Sequence, residues 1–415
     1  MLISEKKLIS SRLSLGKESC VPFFQPILST VTGNILGYEV LGRILLEESN
    51  SFVSLGSFFH ARETNFSEKV QIDRLIREKA IRYLKNSATN TKLFFNLMPN
   101  ILSNIHQEEF LEPQRFHLIQ LIERYNVKRD NIVVEITEEE FSGKVERLVR
   151  MIDLYRSYGF KIAIDDVGAG FSNLERIGYI HPDIIKVDIK IMRHSLSSNS
   201  FRQVLLAISE MALKLGSELL FEGIETESEL NLAFSMGASL LQGFYFSKPQ
   251  PEFQNKSTFA DSLKASLEKF SGIRFLELLE EAKRQQAIVD ELTQIFNKLG
   301  SGEPLTAQKS ISILYQALPY LPESIKEIFL TDIHGYQISP TYVRFNLKNW
   351  DILSRDIGNN HAWKPFFAKH KTNSFLFKRE WGVTTPLYDL NTQKDYVVFT
   401  YNLTPDFIII AKVDW

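Results

Sequence analysis

The stretch Lys161 to Asn173 ends an apolar run in two adjacent carboxylates, Asp165 and Asp166, and follows them with Gly168 and Gly170. Carboxylates so placed can hold a hard metal ion, and the glycines leave space for a phosphate beside the backbone. Ile162, Ala163 and Ile164 form a short apolar run of the kind expected of a strand covered on both faces. Side chains alternate along a strand, so Asp165 and Asp166 reach one pocket only where the strand ends and the backbone turns. Read alone, the same pair serves equally as a helix cap with glycine turn chemistry. The rest of the chain decides between these readings.

Comparable polar residues recur along it. Asn96 lies in Lys92 to Leu97, Glu135 in Asn131 to Glu138, Lys186 in Asp183 to Asp188, Glu222 in Glu218 to Glu225 and Gln242 in Leu240 to Phe244. These segments are short and apolar, and helical patterns separate them at Ser67 to Lys85, Gln114 to Tyr125, Val145 to Tyr158, Phe201 to Leu215 and Ser228 to Met236. Such alternation predicts a parallel α/β architecture. The polar residues sit at or near the C-terminal ends of different strands, where a (β/α)8 barrel assembles its site. A doubly wound sheet would gather its site at one switch point instead, so the barrel is the better reading. Ahead of it, Phe23 to Leu28 and Ile35 to Arg43 read as a hairpin turning at Gly33 and Asn34.

The candidate metal ligands are oxygen donors: Glu39, Asn96, Glu135, Asp165 and Asp166. None of the histidines falls on these strand ends, which favours Mg²⁺ or Mn²⁺ over zinc. Two such ions would clamp a phosphodiester and activate a water. Lys186 offers a cation for developing charge or for orienting that water, Glu222 or Glu225 can take a proton, and Arg43 can hold a phosphate. Any one of these carboxylates alone would read as a cap or surface ion pair. Their recurrence on consecutive strand ends makes them a site.

With 415 residues, the chain is long enough for two domains. We read an N-terminal arm at 1–20, the barrel at 21–255, a helical linker at 256–304 and an α+β domain at 305–415. The linker carries helical apolar spacing at Phe275, Leu278, Leu279, Ile288, Leu292, Ile295, Phe296 and Leu299, expected of one or two helices. The last domain holds all four tryptophans and strands expected at Ile328 to Asp332, Tyr396 to Asn402 and Phe407 to Val413. A formal charge of -2 argues against a general nucleic-acid or membrane-surface binder, so a phosphate ligand must be met by local cations or metal. The single cysteine, Cys20, excludes an intramolecular disulfide. The N-terminus lacks a signal-peptide core and no run of about 18 apolar residues occurs, so no membrane span and a cytoplasmic location are expected.

Glu39, Val40 and Leu41 with Arg43 resemble the Glu-Ala-Leu-x-Arg motif of the EAL-domain cyclic di-GMP phosphodiesterases. Asn96, Glu135 with Glu138, Asp165 with Asp166, Lys186 with Asp188, Glu222 with Glu225, and Gln242 resemble the family's other motifs in order, over Val21 to Pro251. The resemblance implies a (β/α)8 TIM-like barrel whose first strand is antiparallel, and hydrolysis of cyclic di-GMP to linear 5′-pGpG with Mg²⁺ or Mn²⁺ and inhibition by Ca²⁺. By motif, Glu39, Asn96, Glu135 and Asp165 would bind a first metal, with Asp165 and Asp166 at a second. Lys186 and Glu222 would handle the water, with Glu225 beside them in the motif. Gln25, Arg43, Asp188 and Gln242 would face the substrate, and Glu138 would anchor the loop after Asp166. The chain departs from the family at Val40, Gly42, Val167 and Ala169, the last two in the second-metal loop.

Leu330 to Pro340 and Gly358 to Phe367 resemble the PAS-like or Cache-like domain that follows the barrel in some Gram-positive members. This implies regulation by an unknown ligand or protein partner, and the family's habit implies a homodimer. The alternative is a cyclic di-GMP receptor that signals through its C-terminal domain without useful turnover.

Overall fold

The computed structural model describes residues 19–46, 50–61, 64–87, 89–97, 116–137, 145–168, 174–300, 305–346, 349–389 and 392–415. The chain divides into two compact units, Met1–Ser271 and Gly272–Trp415.

In the first unit, β1 (Cys20–Ser29) and β2 (Ile35–Leu46) form the expected hairpin, in which Gln25 is paired with Glu39. A short β3 (Ser51–Ser54), absent from the sequence reading, extends β2. Then follow β4 (Lys92–Leu97), β5 (Ile132–Thr137), β6 (Lys161–Val167), β7 (Ile184–Val187), β8 (Glu218–Phe221) and β9 (Leu240–Leu241). From β2 through β4 to β9 the neighbours pair parallel, while β1 pairs antiparallel with both β2 and β9 and closes the ring. An eight-stranded closed barrel with an inverted first strand results, as the resemblance implied.

Helices cover the outside, and local chemistry fixes their ends. Asn65 caps Phe66–Asn86 by accepting from the Ser67 N–H, Thr226 and Glu229 form a reciprocal box at Glu227–Ser235, and left-handed Gly216 ends Asn199–Leu215. The helices Leu174–Ile180 and Ile189–Ser197 escaped the sequence reading because each is short. Cys20, placed in the arm from sequence, is instead fully buried at the start of β1.

The barrel interior is built in two layers. Ile27, Phe94, Val133, Ala163, Ile184, Leu220 and Leu240 make one apolar cluster, separate from the larger core under the helices. Strand side chains repeat every two residues, so the inward residue two positions on from Phe94 is Asn96, from Val133 Glu135, and from Ala163 Asp165. The same step leads from Ile184 to Lys186, from Leu220 to Glu222 and from Leu240 to Gln242. On inverted β1 it runs backwards, from Ile27 to Gln25. One apolar floor thus carries one polar ring.

A single helix, Ala260–Leu299, stands where one or two were expected, and the division between units falls within it. Leu263, Leu267 and Phe270 pack against the barrel-side core, whereas Ile288, Val289, Leu292 and Phe296 belong to the core of the second unit. That unit is an antiparallel sheet of β10 (Ile325–Asp332), β11 (Thr341–Arg344), β12 (Trp350–Leu353), β13 (Trp381–Val383), β14 (Leu387–Asp389), β15 (Lys394–Thr404) and β16 (Phe407–Asp414). They run in the order β12-β11-β10-β16-β15-β13, with β14 also on β15. The helices Ala307–Ala317 and Pro365–Phe377 complete the unit.

Candidate active site

The polar ring holds two linked groups. On β2, Glu39 accepts through Oε1 from Asn96 Nδ2 at 3.0 Å and through Oε2 from Gln242 Nε2 at 2.6 Å. Both of its oxygens are therefore oriented by strand-end amides. Lys186 supplies the other group: its Nζ lies 2.8 Å from Glu135 Oε1, 3.1 Å from Asp165 Oδ1 and 3.0 Å from Glu222 Oε1. Lys186 and Glu135 are fully buried, and Glu39, Asp165 and Gln242 nearly so.

Charge in this ring is unbalanced. Burial alone would lower the Lys186 ammonium, but the carboxylates of Asp165, Glu135, Glu222 and Glu39 outweigh it and hold the group well above the ordinary lysine range. One ammonium cannot neutralise four carboxylates. Burial pushes Glu135 and Glu222 well above the usual carboxylate range, with Glu39 and Asp165 adding repulsion to each. Burial would raise Asp165 as well, yet Lys186, Glu222 and the Asp166 N–H, which donates to Asp165 Oδ1 at 2.9 Å, hold it below.

Asp166 follows an irregularity in the pairing of β6 with β7 and adopts φ 59°. The turn that would let neighbouring aspartates approach one pocket is present, and an aspartate tolerates this left-handed conformation better than most residues. Although Asp166 is solvent-accessible, surrounding atoms desolvate its carboxyl, and with Asp165 beside it the group is pushed up to about 6.

The ring suits a hard divalent cation. Its donors are oxygens, it carries surplus negative charge, and Glu135 Oε2 and Gln242 Oε1 are buried without a hydrogen-bond partner among the described residues. Among those residues no three Asp, Glu, His or Cys side chains already form a cation-binding group. Lys186 stands where the carboxylates converge, so an ion would share that position with the ammonium or displace it.

The remaining sequence candidates scatter more widely. Gln25, nearly buried, donates from Nε2 to the Ser247 carbonyl at 3.5 Å, the edge of hydrogen-bond range. Arg43 donates to the Gly42 carbonyl at 2.9 Å and to Ser54 Oγ at 3.3 Å, and lies over the Phe23 ring. Asp188 caps the helix Ile189–Ser197 through the Lys190 N–H and adds to the charge felt by Asp166. Glu225 is not brought into the Lys186 cluster: it pairs with Arg193 at 2.8 Å, which also holds Glu229. Glu138, Ala169 and Gly170 lie outside the described residues.

Sequence reasoning missed Arg77. This nearly buried side chain of helix Phe66–Asn86 donates to the Asn96 carbonyl at 2.8 Å and pairs with Asp73 at 2.9 Å, steadying the end of β4. The signal was an arginine beside the apolar stripe of Ile72, Ile76 and Ala80. At the departure Gly42, a Cβ would lie 2.6 Å from Ile76 Cδ1, the movable tip of a side chain on the covering helix.

The EAL domain model matches residues 10–249. The chain belongs to the EAL-domain family. Along nearly its whole length it is similar to the EAL-domain containing protein YkuI of Bacillus subtilis (strain 168), with 29% identity over 404 residues, 96% of this chain and 95% of YkuI. The crystal structure of YkuI in complex with substrate c-di-GMP and calcium superposes with a TM-score of 0.87 at 26% identity, covering 97% of this chain and 98% of that one. PdeG of Escherichia coli (strain K12), a probable cyclic di-GMP phosphodiesterase, is 26% identical over 239 residues, 57% of this chain and 46% of PdeG. The chain thus spans about half the length of PdeG.

Proposed function

We propose that the protein is a metal-dependent phosphodiesterase that hydrolyses cyclic di-GMP to linear 5′-pGpG. The observation that carries this reading is the strand-end ring in which Asn96 and Gln242 orient Glu39 while Lys186 sits among Glu135, Asp165 and Glu222. Membership of the EAL-domain family and the cyclic di-GMP named for YkuI and PdeG support the substrate.

Glu39, Asn96, Glu135, Asp165 and Asp166 would hold Mg²⁺ or Mn²⁺. When bound, these ions supply Lewis-acid stabilisation of phosphoryl oxygens and an acidified water. The protein's own residues do the rest. Arg43, with Gln25, Asp188 and Gln242 around the mouth, orients the substrate phosphate and leaves one P–O3′ bond facing Lys186 and Glu222. Lys186 donates a hydrogen bond that fixes the attacking water, and Glu222, whose raised pKa makes it a competent base, accepts its proton. The water oxygen becomes part of the 5′-phosphate, the P–O3′ bond breaks, and the departing O3′ takes up a proton from solvent water while Glu222 returns its own to solvent. Glu225, paired with Arg193 away from Lys186, is read here as a positioning residue for the segment after β8.

The second unit, which we read as PAS-like, would regulate this activity, with the protein acting as a cytoplasmic homodimer. Among the described residues no helix is long and apolar enough to cross a membrane. The deciding experiment is incubation of the purified protein with cyclic di-GMP and Mg²⁺ or Mn²⁺, with and without Ca²⁺, followed by chromatographic separation. Metal-dependent pGpG that Ca²⁺ suppresses is the expected result. Tight binding without product under any of these ions would overturn it in favour of a receptor.

A further inference from the structure

The second unit contains a cavity of about 330 Å³ between the helix Pro365–Phe377 and strands β13, β14 and β15. That volume is at the lower end for small-molecule sites. Its walls divide by chemistry. Phe366, Val383, Leu387 and Val398 give an apolar side, and Lys369 with Arg379 gives two cations. No carboxylate lines it, and among the described residues neither Lys369 nor Arg379 has an acidic partner. Arg379 is stacked over the Trp381 ring, with its guanidinium carbon 3.7 Å from the centroid, which restrains the group and leaves its N–H edge to bind.

The floor is committed to structure. His370 is almost fully buried, with Nε2 2.7 Å from Asn402 Oδ1 and Nδ1 2.9 Å from Thr400 Oγ1. Asn402 Nδ2 donates to Ser374 Oγ, so its Oδ1 accepts from the imidazole, and the Thr400 hydroxyl donates to the other nitrogen. Burial holds the imidazole below the ordinary histidine range, and both of its nitrogens are used. A Cβ at Gly382 would lie 2.8 Å from Thr400 Oγ1 and would close this floor. Thr384 Oγ1 accepts from the Val398 N–H at 3.0 Å, which leaves its own O–H to donate.

We infer that this cavity binds a small organic monocarboxylate, its apolar body against Phe366, Val383, Leu387 and Val398 and its carboxylate met by Lys369 and Arg379. A planar guanidinium matches a carboxylate through paired hydrogen bonds, and the ammonium completes charge neutralisation. Inorganic phosphate would leave the apolar wall uncovered, and a neutral ligand would forgo the charge-assisted hydrogen bonds that Lys369 and Arg379, both exposed at the rim, can supply. The inference stands independently of barrel chemistry, so its test does not pass through cyclic di-GMP.

The test is titration calorimetry and thermal melting of the full chain with benzoate and hexanoate, their neutral amides, and inorganic phosphate. At least one carboxylate should bind and raise the melting temperature, its amide should bind about tenfold more weakly or worse, and phosphate should not substitute. Lys369→Ala and Arg379→Gln should each weaken the carboxylate about tenfold without changing the unliganded melt, and Thr385→Trp at the cavity lining should block it. Lys371→Ala, on the same helix outside the cavity, should bind as the parent does. No carboxylate binding at millimolar concentration, equal binding of acid and amide, equivalent binding of phosphate, or indifference to both cation variants would each overturn the assignment.

Discussion

Lys186 Nζ lies 2.8 Å from Glu135 Oε1, on strands separated by β6, with both side chains out of contact with solvent. A buried pair of this kind is costly to break, because removing one partner strands the other charge. Lys186→Met should destabilise the metal-free protein by about 3 kcal/mol or more. The loss should shrink when Mn²⁺ is supplied, since a divalent ion can replace the missing charge. Melting with chelator and then with Mn²⁺ checks both parts, and a variant that Mn²⁺ stabilises no more than the parent would contradict the fit of the ring to a cation.

Glu39 is held from two sides by Asn96 and Gln242. Glu39→Gln keeps its volume but removes the negative charge and one acceptor oxygen. Turnover of cyclic di-GMP should fall about a hundredfold or more and Mn²⁺ affinity should fall with it. Hydrolysis rates alongside Mn²⁺ titration distinguish this from a purely local packing effect.

Arg43 feels the Glu39 carboxylate, but its hydrogen bonds go to Gly42 and Ser54 at the edge of the ring. Arg43→Ala should therefore raise KM for cyclic di-GMP about tenfold while kcat changes about twofold at most. A fall confined to kcat would move Arg43 from substrate binding to the chemical step.

Gly243 brings two backbones together. A Cβ at this position would lie 2.1 Å from the Ile224 carbonyl oxygen, in a segment where Ile224 N–H donates to the Gln242 carbonyl. Gly243→Ala should cost about 2 kcal/mol or more and loosen the placement of Gln242. A urea midpoint unchanged from the parent would show that this approach relaxes freely.

His117, which begins the helix His117–Tyr125, is held down to about 4 by burial and by the positive charges of Arg74 and Arg77. Its ordinary value in an unfolded chain is about 6.5. Between these values the unfolded state takes a proton that the folded state refuses, so this contribution to stability is intact above about 6.5 and declines as pH falls toward 4. The loss should reach about 3 kcal/mol near pH 4. His117→Gln should flatten that part of the acid dependence, as read from denaturation midpoints at pH 7, 5.5 and 4.

Much of the barrel was legible because strand side chains repeat every two residues. Apolar Val133 before Glu135, and Ile184 before Lys186, mark both a buried strand and the end of its interior face. Gln25 on β1 was harder to place because inversion reverses the order, so its polar residue precedes Ile27. Glu225 was harder to place for a different reason: it shares a motif with Glu222, yet after β8 it pairs with Arg193. That partner is 32 positions away by numbering and carries no local signal. Arg77 was equally silent, since its role depends on the helix Phe66–Asn86 lying against the end of β4. In the second unit the longer strands were readable, whereas β11 to β14 have only three or four residues each and are defined by their neighbours.

The apolar floor beneath the polar ring makes the barrel a blind well. Phe94, Val133, Ile184, Leu220 and Leu240 line it from below with hydrocarbon, which offers no hydrogen-bonding side chain to carry a proton. Lys186 and Glu135 therefore face the strand ends and not that floor. The surplus negative field of the carboxylates, unable to spread downward through hydrocarbon, is directed toward the strand ends.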